Sequence, residues 1–317
     1  MTTFLIILGV IVGINLLSLL INQILLPKDL AGITPRGELL EVQGKRMHLR
    51  KMGSGALTIV LLPGLGVPLP SVDFRPLMEE LAETHTVVCI EYFGYGFSDQ
   101  TDTPRTNENY TEEIRESLST LGLKPPYVLM PYSASGIYCE YYAAKYPEEV
   151  EALILLDTTS SAQKEVTLPK FTLTLSKIQN AIGFGRFLNP LLAIKLMGLH
   201  EKNGYTKQEI RELSKFTNHA SNDTTNDQLL RFSKNVSEMM TLDTPKELPV
   251  LVLSAPGSAK LEKGAYLAAH LKKLGSQTKS KIIPNSNHGT IYHDRQHRLA
   301  ILEAVDDFLN AKKYTSK

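Results

Sequence analysis

The sequence predicts an α/β protein: a mostly parallel, eight-stranded sheet with helices on both faces, a helical cap inserted late in the sheet, and an N-terminal transmembrane helix. Three observations predict it. Short, unbroken apolar runs alternate with segments of helical periodicity, from Leu57 to near the C-terminus. That rhythm stops between Asp157 and Leu248 and then resumes. Residues 4–26, "FLIILGVIVGINLLSLLINQILL", carry no charge.

The N-terminal run is long enough, as a helix, to cross a hydrocarbon core of about 30 Å. Asn15, Ser18, Asn22 and Gln23 lower its hydropathy without adding charge. A signal peptide is the rival reading, but it needs a positive n-region and a small-residue cleavage site. Neither is clear here, so residues 1–27 are read as a retained anchor, in contact with a lipid bilayer through residues 4–26. Lys28, Arg36, Lys45 and Arg46 follow the run, and no Lys or Arg precedes it. The positive-inside rule then predicts a single-pass membrane protein with its globular part in the cytoplasm.

After a short linker, "ELLEVQGKRMHLRKMG" reads as two strands around a turn at Gln43-Gly44. "LTIVLL" is a buried strand that ends in "PGLG", and "VDFRPLMEELAE" is a helix. "HTVVCIEY" is a second buried strand, ended by "FGYGFSD". "YTEEIRESLSTLGL" is a helix, with Thr111 as its cap and Gly122 as its stop. The strand "YVLM" leads into the turn "PYSASG" and the helix "GIYCEYYAAKY", closed before Pro147. "EALILLD" and "LPVLVLSA" are strands, "AYLAAHLKKLG" a helix, "SKIIP" a strand, and "RLAILEAVDDFLN" the final helix. Strands that alternate with helices imply crossover connections, hence a parallel sheet covered on both faces. Residues 158–247 are too long a span for a structureless loop. Their helical pattern and apolar patches, "FTLTL", "IGFGRFL" and "LLAIKLMGL", predict a cap between two core parts, 28–157 and 248–317.

Composition narrows the function. The net charge of +1, with no basic face implied, argues against a nucleic-acid partner. Cys89 and Cys139 each sit in an apolar context and read as buried free thiols, with no metal-ligand spacing.

The chemistry centres on the turn after "YVLM". Ligands of parallel sheets bind at the C-terminal ends of strands. A sharp strand-to-helix turn there holds a serine hydroxyl exposed, usually as G-x-S-x-G. Here Ser133 takes the central position, and Pro131 and Ser135 replace the two glycines, with Gly136 next. By itself the turn also fits a serine-rich helix cap. "LLPGLG" ends an earlier strand, and its glycines let backbone N–H groups approach a developing oxyanion. The N–H groups of Leu65 and Ala134 are the natural pair. His288, in "NSNHGTIYH", follows the last strand in a loop from which it reaches Ser133 as general base.

Together these segments resemble the α/β-hydrolase fold family, in the branch with a helical cap, over roughly residues 38–312. "PGLG" stands where the family often has H-G-x-G, and "EYFGYGFSD" matches its D-x-x-G-x-G-x-S turn, which Ser98 and Asp99 brace. The elbow at Ser133 and the "NHG" at His288 complete the resemblance. It implies a serine hydrolase that needs no metal or organic cofactor. A serine at the elbow sets the chain apart from the dehalogenases and epoxide hydrolases of similar fold, which use aspartate there. The family's usual acid, after the seventh strand, falls at about Ser258, which cannot orient an imidazole electrostatically. Asp157, ending the sixth strand, and Glu262, a few residues past the usual position, are the substitutes. A histidine working without a carboxylate is the third option.

The expected protein is thus a membrane-anchored serine hydrolase, acting on small-molecule carboxylic esters. Anchor and apolar cap together suggest lipid-derived ones. A peptidase is the nearest enzymatic rival. The altered elbow and the missing standard acid also suit a catalytically weak or inactive ligand-binding protein of the same fold.

Overall fold

The computed structural model describes residues 2–162, 178, 181–183, 186 and 197–315. The strands are β1 (Glu38–Val42), β2 (Lys45–Met52), β3 (Thr58–Leu62), β4 (Thr86–Glu91), β5 (Tyr127–Pro131), β6 (Val150–Leu156), β7 (Val250–Ser254) and β8 (Thr278–Ile282). The helices are α1 (Thr2–Asp29), α2 (Pro70–Asp73), α3 (Arg75–Leu81), α4 (Asn107–Thr120) and α5 (Ser135–Lys145). They continue with α6 (Lys207–Thr217), α7 (Asp223–Met240), α8 (Pro256–Ala259), α9 (Ala265–Leu274) and α10 (Arg295–Thr315).

One sheet takes the order β1-β2-β4-β3-β5-β6-β7-β8. The β1–β2 and β2–β4 pairs are antiparallel, and the others are parallel. Gln43 and Gly44 both have positive φ, 50° and 75°, the geometry of a two-residue hairpin turn between twisted strands. The inner strands are buried on both faces, as their continuous apolar runs require. Side chains alternate between two cores because the strand period is two. Val60 and Leu62 join α4 and α5 in one core, while Ile59 and Leu61 join α3 and α10 in the other.

Local chemistry moves two expected boundaries. The run "VDFRPLMEELAE" breaks at Phe74, and Pro76 sits in the first turn of α3, where its missing N–H costs nothing. The cap of α4 is Thr106, whose hydroxyl accepts from Asn109 N–H at 3.2 Å. Thr111 is instead buried inside that helix. Between β6 and β7, α6 and α7 both start with a capping box, Thr206 with Glu209 and Asn222 with Thr225. "FTLTL" and most of the other two apolar patches lie outside the described residues.

The transmembrane helix, the single-pass placement and the bilayer contact through residues 4–26 are overturned. Among the described residues, no helix is long and apolar enough to cross a membrane. The polar residues of α1 show why apolar run length misleads here. Ser18, Asn22 and Asp29 fall on one helical face and dock on protein. Ser18 Oγ donates to the Ile182 carbonyl at 2.6 Å, and Asn22 Nδ2 to that of Ala181 at 3.1 Å. The Arg186 guanidinium donates to Asn22 Oδ1 and, bidentately at 2.7 Å, to Asp29. Asn218 adds a bond to Asp29 at 3.2 Å. Downstream, Arg36 clamps Glu212 of α6 at 2.6 and 2.9 Å, and Leu30 and Ile33 pack against Leu69, Val72, Leu213 and Phe216.

Candidate active site

The turn after β5 is a strained elbow. Ser133 has φ of 56°, a left-handed conformation that a non-glycine side chain adopts only where its surroundings impose it. The surroundings do. Tyr132 N–H donates to the Leu62 carbonyl at 2.9 Å, and Ser133 N–H to that of Leu156 at 3.1 Å. The Ser133 carbonyl accepts from Thr159 N–H at 3.0 Å. The turn is therefore pinned to strands on both sides. Pro131 is tolerated as the last residue of its strand. Gly136, one position later than the usual motif, does the work expected of the second glycine. A Cβ there would lie 2.5 Å from Thr158 Cβ, so only glycine lets α5 pack against the segment after β6. Ser135 is buried and donates to the Pro63 carbonyl, which ties the elbow to the loop after β3.

Three predicted side chains meet. Ser133 Oγ lies 3.0 Å from His288 Nε2, and His288 Nδ1 lies 2.7 Å from Asp157 Oδ2. The imidazole is half exposed, whereas the carboxylate is buried. Asp157 itself has φ of 45°, held by its N–H donating to the Leu253 carbonyl at 2.7 Å. Its Oδ1 accepts from Ala255 N–H at 2.9 Å, and its Oδ2 also accepts from Ser258 Oγ at 2.8 Å. Ser258, at the position where a carboxylate was expected, thus hydrogen-bonds the carboxylate that faces the histidine. Glu262 stands apart, exposed in a left-handed turn before α9.

The loop that carries Leu65 runs beside the serine. A Cβ on Gly64 would sit 2.7 Å from Ser133 Cβ, which shows how closely the "PGLG" loop approaches. Among the described residues, neither Leu65 N–H nor Ala134 N–H donates to a protein acceptor. Backbone N–H groups without a protein acceptor, beside a partly exposed hydroxyl, are of the kind that can stabilise an anion. A cavity of about 310 Å³ opens beside Leu65 and Gly66, walled by Tyr95, Ser221, Thr225 and Leu229. Among the described residues, no group of three His, Cys, Asp or Glu side chains is placed to hold a metal ion.

Sequence reasoning missed what holds the histidine loop. The Tyr132 ring stacks on His288 at 5.0 Å, and its hydroxyl donates to the His288 carbonyl at 2.7 Å. Burial pushes that phenol far above its ordinary range, so it stays a donor. The signal was the tyrosine directly preceding Ser133. Ser98 and Asp99 brace the "GYGFSD" turn: Ser98 Oγ donates to the Glu91 carbonyl and accepts from His48 N–H, and Asp99 pairs with Arg46.

Residues 58–189 match the sequence profile of the alpha/beta hydrolase fold. The chain belongs to the α/β-hydrolase fold family. It is 31% identical over 242 residues to the uncharacterized protein YbdG of Bacillus subtilis strain 168, covering 73% of this chain and 72% of that one. It is 26% identical over 178 residues to a pimeloyl-(acyl-carrier protein) methyl ester esterase of Xylella fastidiosa strain M12. That match takes in 54% of this chain and 64% of the esterase, just under two thirds of its length. Among solved structures, the epoxide hydrolase CorEH superposes with a TM-score of 0.64 at 18% identity, over 86% of this chain and 98% of that one. At that identity the likeness is one of fold. Other α/β-hydrolase members thus share this chain's sheet while differing in chemistry, so the reaction has to be argued from the site.

Proposed function

We propose that the protein is a serine hydrolase of small-molecule carboxylic esters. The observation that carries this reading is the continuous hydrogen-bond chain from Ser133 through His288 to Asp157, with the serine on a strained elbow beside two free backbone donors. Ser133 Oγ attacks the acyl carbonyl carbon while His288 Nε2 takes its proton. The carbonyl oxygen becomes an oxyanion held by Leu65 N–H and Ala134 N–H. Collapse breaks the ester C–O bond, and His288 returns the proton to the leaving alcohol. Water then attacks the acyl-enzyme by the same route and releases the acid. Asp157 accepts from Nδ1–H, which keeps Nε2 facing the serine, and its charge stabilises the imidazolium that forms at each step.

An ester esterase among the relatives supports this reading over an epoxide opening, for which the elbow residue would be an aspartate. In this reading residues 158–247 act as the cap over the core parts 28–157 and 248–317. The cavity beside Leu65 holds one side of the substrate, and its walls are uncharged, so the occupant is neutral. With α1 docked on protein, a lipid origin for that group has lost its main support. The test is hydrolysis of p-nitrophenyl esters of graded chain length by wild-type protein and Ser133→Ala. The substitution should lower kcat at least about 10³-fold with the fold intact. A variant that keeps a tenth of wild-type activity removes Ser133 from the mechanism.

A further inference from the structure

Five residues beyond His288, a second histidine faces an aspartate. His293 is fully buried, and both of its ring nitrogens meet acceptors. Nδ1 lies 2.6 Å from the Gly289 carbonyl oxygen, which can only accept, so Nδ1 carries a proton. Nε2 lies 3.1 Å from Asp73 Oδ1. The other oxygen of Asp73 accepts from the Tyr292 hydroxyl, a phenol that burial holds far above its ordinary range and hence in its donor form. A hydrogen bond between Nε2 and Oδ1 therefore fixes the ring from its other side. Neighbouring groups brace the pair. Tyr205, held neutral by burial, donates its hydroxyl to the Asp73 carbonyl at 2.6 Å. Arg298 donates to the His293 carbonyl at 2.7 Å and pairs with Glu80, and Arg75 pairs with Glu79 and Glu209.

We propose that His293, held between Asp73 and the Gly289 carbonyl, positions the loop bearing His288. The geometry gives it two routes. It holds the carbonyl of Gly289, the residue directly after His288. Its neighbour Tyr292 packs edge-on at 4.9 Å against Tyr132, the ring that stacks on the His288 imidazole. His293 touches no reacting atom; it acts through His288, and its functional role rests on His288 being the general base.

The positioning role is read in Asp73→Asn and Tyr292→Phe, with circular dichroism to select folded protein. Either should lower kcat on p-nitrophenyl acetate about tenfold or more, with KM within about threefold, because alignment of the base rather than substrate binding is lost. Folded variants that turn over at the wild-type kcat overturn the role. Ser133→Ala, run alongside, separates the two failures. If it stays active, the serine mechanism has failed; if it is dead while both loop variants are fully active, only the positioning has failed.

Discussion

His288 and His293 share a loop, and each faces a buried aspartate, Asp157 or Asp73. The difference lies at the opposite nitrogen. That of His288 meets a serine hydroxyl, which gives or takes a proton, on a half-exposed ring. That of His293 meets a backbone carbonyl, which only accepts, on a ring with no access to solvent. A histidine between a carboxylate and a hydroxyl can cycle its proton. A histidine between a carboxylate and a carbonyl is held from both sides and serves as a clamp. The identical residue types thus reach different chemistry through one partner each.

The two histidine pairs should differ most at their aspartates. Asp157→Asn keeps the size of the side chain but removes the charge that meets an imidazolium, so kcat on p-nitrophenyl acetate should fall roughly 10²–10⁴-fold. The melting temperature should change little. Glu262→Gln, at an exposed residue, should leave kcat within about twofold. A large loss confined to Glu262→Gln would reassign the acid.

Asp73→Asn should reverse the balance between rate and stability. Removing one partner of a buried pair costs about 3–5 kcal/mol, so its unfolding midpoint should drop well below that of Asp157→Asn. Denaturant melts of the two variants side by side check this, and equal midpoints would erase the distinction between cycling pair and clamp. Ser258→Ala sharpens the comparison on the catalytic side. It deletes one of the hydrogen bonds that aim Asp157, at a net worth of about 1 kcal/mol, so kcat should fall only severalfold. A loss as large as that of Asp157→Asn would make Ser258 an equal partner.

The smallest effect is expected at a third acidic clasp, remote from both pairs. Burial alone would raise the Asp29 carboxyl, but its bonds to Arg186 and Asn218 outweigh that and hold it below the ordinary 3.8. A carboxylate depressed in the folded state stabilises above its ordinary value, and this contribution is lost as pH falls through the lower, folded value. Wild-type melting temperature should therefore drop more between about pH 5 and pH 2 than that of Asp29→Asn. Parallel curves would mean that α1 is docked by its other contacts.

Much of this was legible in the sequence because it depends on local pattern. The continuous apolar runs of β3 to β7, the Gln43-Gly44 turn and the "GYGFSD" turn each carry their own signal. Ser133 and His288 stood out because strand-end turns are where such groups gather. What escaped is long-range. The polar residues of α1 read as blemishes in an apolar helix, because their partners at Ala181, Ile182 and Arg186 lie more than a hundred residues away. The choice between Asp157 and Glu262 depended on which loop bends toward the imidazole. The Asp73–His293 pair joins the region after β3 to the loop after β8, and no spacing in the chain announces it. Gly136 was visible, but one position off the expected motif.

The central claim is that Ser133 is a nucleophile activated by His288. Incubating the protein with a fluorophosphonate and mapping the adduct by peptide mass spectrometry tests it most directly. One phosphonyl group is expected, on the peptide bearing Ser133, formed far more slowly in His288→Ala and Asp157→Asn and absent in Ser133→Ala. Folded wild-type protein that never labels, or that labels on another residue, would contradict it.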